Sequence, residues 1–121
     1  MGADTGKASV RYEKGAIVMD YDSNQQPIFK KIREAFRAAE METGLKIWAI
    51  KKSITVHAWG GACLGPNPEC GVIGHNGEVY RNPGLFIADA SALPATVGTP
   101  PSLTIAAWAH HVADRLAQVA I

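Results

Sequence analysis

Hydrophobic and polar positions follow two different periods along the chain, and the change of period marks the elements. In "RYEKGAIVMDYD" the apolar residues Tyr12 and Ile17 to Met19 flank Gly15, the pattern of one or two short strands. Ile28, Phe29, Ile32, Ala35, Phe36 and Ala39 then recur at three- and four-residue intervals. That spacing puts them on one face of an amphipathic helix, with Lys30, Lys31, Arg33, Glu34 and Arg37 on the solvated face. The helix is expected to start in "DSNQQP", with Ser23 or Asn24 as its cap and Pro27 in its first turn, and to stop at Gly44. "LKIWAI" and "SITVHAW", rich in β-branched and aromatic residues, predict strands. A second helix is predicted from Ser102 to about Val119, with Ile105, Ala109, Val112, Leu116 and Val119 on its apolar face.

The ground between these elements is punctuated differently. From Gly60 to Asn82 the chain is dominated by Gly, Pro and Asn, a long turn-rich loop of the kind that tends to carry function. "GLFIADAS" predicts a short buried strand ending in an aspartate, and "ALPATVGTPPS" a loop that opens the second helix. Residues 1–9, "MGADTGKAS", are small and polar and read as a frayed end ahead of one domain over residues 10–121. The fold class is therefore α+β: a few short strands, two long helices and a long loop.

Charge and cysteine content narrow the partners. Twelve basic residues nearly cancel eleven acidic ones with no basic block, which argues against nucleic acid or an anionic membrane surface. The apolar runs are too short to span a bilayer and the N-terminus has no signal-peptide pattern, so a cytoplasmic setting is expected. Cys63 and Cys70 sit seven apart. A disulfide across "CLGPNPEC" is geometrically possible, and free thiols are favoured in a reducing compartment. Zinc, recruiting His57 and His75, is disfavoured because structural sites bring cysteines two to four residues apart; no metal is expected.

Candidate chemistry begins at "HAWGGACLG". Imidazole exchanges protons near neutral pH, and the glycines behind His57 let the backbone come close to a ligand. With "NPGLFIADASALP" and "VGTPPSLTIAAWAHHVADRL", this stretch resembles the C-terminal part of the glucose–methanol–choline (GMC) oxidoreductases, in particular the cholesterol-oxidase-like branch. The likeness runs from about Asp20 to Ala117. It implies an FAD enzyme that oxidises a small-molecule alcohol by hydride transfer to the flavin. It also implies that residues through about Lys52 belong to a substrate-binding sheet, and that the remainder returns to the FAD domain.

Residue by residue, the resemblance places His57 beside the reacting edge of the flavin. Asp89 and Ala90 fall at a strand end that meets the cofactor, though an aspartate there also suits a turn cap. Pro101 and Ser102 open a helix whose N-terminus faces the flavin, where unpaired N–H groups favour negative charge; Ser102 and Thr104 add hydroxyls. Pro100 occupies the second catalytic position, usually asparagine or histidine. Proline offers neither a side-chain donor nor a backbone N–H, so either a neighbour such as Thr99 compensates or the chemistry is weakened or altered. The G-x-G-x-x-G fingerprint that holds the FAD pyrophosphate is missing from the chain. These residues thus read as part of a longer enzyme, or as a subunit that completes one with an upstream FAD-binding region. The alternative is a non-catalytic remnant or small subunit that stabilises a partner. Cut sheet edges would also favour self-association. Trp59 is expected to border the substrate pocket, Trp48 and Trp108 to lie in a core or interface, His75 in a turn, and His110 and His111 on a partly exposed helix face.

Overall fold

A computed structural model describes residues 4–6, 8–49 and 54–119, excluding the side chain of Val119. The chain divides into two compact units, Met1–Ile54 and Thr55–Ile121.

In the first unit, β1 (Ser9–Glu13) and β2 (Ala16–Asp20) pair antiparallel, with Ser9 opposite Asp20 and Glu13 opposite Ala16. Lys14 and Gly15 close the hairpin with φ of 51° and 83°, the doubly positive turn that matches strand twist. The register puts Val10, Tyr12, Ile17 and Met19 on one face, each at least 65 % exposed. A 3-10 turn, Ser23–Gln25, precedes α1 (Pro27–Thr43). Neither Ser23 nor Asn24 caps α1. Asp22 accepts from the Asn24 amide at 2.9 Å and caps the 3-10 turn, and Gln26 precedes α1 without a side-chain cap bond. The Gln26 amide is engaged elsewhere: Oε1 accepts from the Thr5 N–H (3.2 Å) and hydroxyl (2.7 Å). The Tyr21 hydroxyl likewise donates to Asp4, so residues 4–6 are hydrogen-bonded although their composition suggests fraying. Pro27 at N1 and Gly44, left-handed at φ 68° with its N–H on the Glu40 carbonyl, bound α1 as expected.

No ladder forms over residues 45–49 or 54–59, where "LKIWAI" and "SITVHAW" suggest strands; Ile50 to Ser53 lie outside the described residues. β propensity expresses a fit to a pleated neighbour, and no strand among the described residues pairs with these segments. Trp48 is 88 % exposed, with Lys46 Nζ 5.5 Å from its ring, so it is no core residue.

In the second unit, the long loop is organised by single bridges: Leu64 with Ile73, Ile73 with Val79, and Glu78 with Phe86. "GLFIADAS" is therefore not a buried strand. Val79 N–H reaches the Leu85 carbonyl and Ile87 N–H the Gly77 carbonyl, and the chain then leaves this short pairing for a 3-10 turn at Ala90–Ala92. α2 (Ser102–Val119) packs on the loop through Val112, which is 2 % exposed. Trp108 donates from Nε1 to the Ile87 carbonyl (3.1 Å) and stacks on His111, whose Nε2 bonds the His75 carbonyl (2.8 Å). The core is small, with Ile73, Ala92 and Val112 buried in it.

Candidate active site

The segment around His57 is fastened to its unit at the downstream end. Upstream, the His57 amide donates to Thr55 Oγ1 at 3.0 Å, a local turn that threonine favours. Downstream, Gly60 N–H donates to the Ala90 carbonyl (3.2 Å), Ala62 to Ser91 (3.0 Å) and Leu64 to Ala92 (2.9 Å). Three alternate amides thus dock onto three successive carbonyls of one 3-10 turn. On its other side the segment is held by Val72 N–H on the Cys63 carbonyl (2.8 Å) and by Gly65 N–H on the Ile73 carbonyl (3.1 Å). His57 and Trp59 are half-buried.

The 3-10 turn is capped by Asp89. Its Oδ1 accepts from the Ser91 amide at 2.8 Å and from the Ser91 hydroxyl. Those bonds, the hydroxyl first and the amide second, hold the Asp89 carboxyl below the usual aspartate range by favouring its ionised form. The carboxylate is thus occupied within its own turn. At the start of α2, Pro101 is buried and its carbonyl takes the first helical bond, from Ile105 N–H (2.9 Å); Pro100, Ser102 and Thr104 are exposed.

The structure therefore joins His57's segment to Asp89 and Ala90. Among the described residues, no hydrogen bond links Pro100, Pro101 or Ser102 to either. Sequence reasoning missed Ser91, whose signal was the Asp-x-Ser spacing of an aspartate-capped turn. It also missed the clasp between residues 60–64 and 90–92, which leaves no local trace because its partners are about thirty residues apart. Cys63 and Cys70 are free thiols, and the Cys63 Sγ lies 3.7 Å from the Leu93 carbonyl. Two shallow cavities, about 270 and 260 Å³, lie instead along Gly74–Pro83 and between Asn76, Phe86 and Leu116. Neither is lined by a predicted site residue.

A sequence profile of the GMC oxidoreductases matches residues 7–109. The chain belongs to the GMC oxidoreductase family. Its oxidoreductase relatives include a cholesterol oxidase of Mycobacterium tuberculosis, 45 % identical over 50 % of this chain and 11 % of the relative. A long-chain-alcohol oxidase of Arabidopsis thaliana is 34 % identical over 72 % of this chain and 12 % of the relative. A cholesterol oxidase of Acinetobacter baumannii is 30 % identical over 76 % and 18 %. The match thus spans less than a fifth of each of these relatives, and it falls in the C-terminal region of the GMC fold. No solved structure matches the chain. The family is generally FAD-dependent.

Proposed function

We propose that this chain is the C-terminal region of an FAD-dependent alcohol oxidoreductase, with His57 at the substrate hydroxyl and an upstream region or partner subunit holding most of the cofactor. The observation that carries the reading is the clasp: two stretches that carry the family resemblance, "HAWGGACLG" and "NPGLFIADASALP", meet through three backbone hydrogen bonds. The relatives' names, cholesterol oxidase and long-chain-alcohol oxidase, support an alcohol on a large apolar skeleton as substrate.

The donor set fits one edge of a flavin. Ser102, Leu103 and Thr104 are exposed in the first turn of α2, and their amides precede the first helical bond. N–H groups at a helix start favour negative charge. Bound FAD would supply the hydride acceptor. His57 would accept or share the hydroxyl proton, the role for which a positioned imidazole is suited near neutral pH. Ala90 would allow close backbone approach, while Asp89 holds the turn. Pro100 supplies no hydrogen bond, so proton handling falls to His57, with Thr99 as the adjacent hydroxyl.

Pro100, with no donor at the second catalytic position, favours a second reading, a non-catalytic subunit that stabilises a partner. The test is to assemble the chain with its FAD-binding region and add a long-chain alcohol without oxygen. Bleaching of the flavin band supports the enzyme; a flavin that stays oxidised with every apolar alcohol tried supports the subunit.

A further inference from the structure

We infer that Ser91 is a positioning residue for His57, acting through the carbonyls of the Ala90–Ala92 turn. The inference rests on the reading of His57 as an active-site residue. Ser91 stands at the centre of the clasp and is engaged in three ways. Its hydroxyl and amide both donate to Asp89 Oδ1, and its carbonyl accepts from Ala62. The Asp89–Ser91 pair closes the turn, and turn closure aligns the carbonyls of residues 90, 91 and 92 with the amides of Gly60, Ala62 and Leu64.

The lower end of this clasp is anchored in the core, because Ala92 is 2 % exposed and Leu64 bridges to the fully buried Ile73. Its upper end is the vulnerable one. Among the described residues, no backbone hydrogen bond leaves residues 58 or 59, and the His57 amide bonds only to its neighbour Thr55. Gly60 and Gly61 take φ of 80° and 107°, conformations open to glycine and costly for other residues. The Gly60–Ala90 bond is therefore the nearest tether that fixes His57 to the rest of its unit. Loosening the turn at Ser91 releases that tether before it disturbs Ile73 or Val112.

The test pairs amide exchange on the full chain with kinetics on the FAD-loaded enzyme containing it. Ser91→Ala should speed exchange at Gly60 and Ala62 about tenfold, the scale of one charge-assisted hydrogen bond, and leave the Val112 amide unchanged. It should lower kcat by about the same factor with flavin content and KM kept, and Ser91→Thr, which retains the hydroxyl, should restore both. If Ser91→Ala also exposes Val112, Asp89→Asn keeps the shape of the turn with a weaker acceptor and carries the same exchange test. Unchanged exchange at Gly60 and Ala62 overturns the proposal, as does a normal kcat in Ser91→Ala when His57→Ala is inactive. An active His57→Ala enzyme defeats the catalytic reading instead, and the exchange rates still decide whether Ser91 holds the segment.

Discussion

At the scale of single residues, the proposed proton handling falls to His57, while Asp89 caps a turn. In the FAD-loaded enzyme, His57→Ala should cut turnover about 100- to 10,000-fold, the usual cost of losing a positioned acid–base group, with flavin content nearly kept. Comparable losses of flavin and activity would mean that His57 packs rather than reacts. Asp89 makes a different prediction. Ser91 lowers its carboxyl pKa in the folded chain, so the ionised pair stabilises the turn above the ordinary aspartate value of 3.8. That contribution disappears as pH falls through the lower folded value. A carboxyl titration followed by NMR should place the Asp89 midpoint below 3.8 in the parent and move it upward in Ser91→Ala; a parent midpoint at or above 3.8 would sink the account. The candidates His57, Asp89 and Ala90 were marked in the sequence by their motifs, and the structure joins the segments that hold them. Ser91 was not marked, because a serine's partner is a geometric fact. Asp89 also illustrates the limit: its turn-capping role is visible in the structure, while a cofactor role rests on the family resemblance alone.

At the scale of elements, the helices were legible apart from the cap of α1, and what needs a distant partner was not. Pro27, Gly44 and the 3.6-residue spacing specify α1 and α2, since a helix satisfies its backbone within itself. One or two short strands were readable around Gly15, and the structure pairs them as a hairpin. "LKIWAI", "SITVHAW" and "GLFIADAS" were misread because a strand exists only through its neighbour, and period alone does not supply one. The seat of α2 on the loop gives this level its own test. A Cβ on Gly77 would stand 2.5 Å from Val112 Cγ2, and Gly77 has φ of 85°. Gly77→Ala should therefore destabilise the chain by at least about 2 kcal/mol, from overpacking and backbone strain together. Val112→Ala removes both γ carbons, so the added methyl should partly fill the space it leaves. The double variant should be more stable than the sum of the two single changes implies, by about 1 kcal/mol or more in a thermodynamic cycle. Strict additivity in denaturant titrations would show that α2 does not rest on Gly77.

At the scale of the whole molecule, each unit has to be taken by itself. In the first, β1, β2 and α1 contain no buried residue, and Val10, Tyr12, Ile17 and Met19 form an apolar face that the unit itself does not cover. A patch of that kind is suited to further protein, which accords with a region that works inside a larger enzyme. No described helix is long and apolar enough to cross a membrane. The cofactor balance can be tested directly. FAD needs a pyrophosphate cradle and an enclosing cavity, and the chain has no G-x-G-x-x-G. The two cavities, about 270 and 260 Å³, fall below the roughly 300–1,000 Å³ of sites that enclose even drug-sized ligands. In the proposed reading only the exposed start of α2 and the turn at Ala90 meet the flavin, at one edge. The 121-residue chain, incubated with excess FAD and desalted, should therefore show no flavin absorbance. The same chain assembled with its FAD-binding region should keep the band, and Ser91→Ala should leave that retention intact because the Ala90–Ala92 turn positions His57 rather than gripping the dinucleotide. A stoichiometric flavin band on the chain alone would overturn the division of labour proposed here.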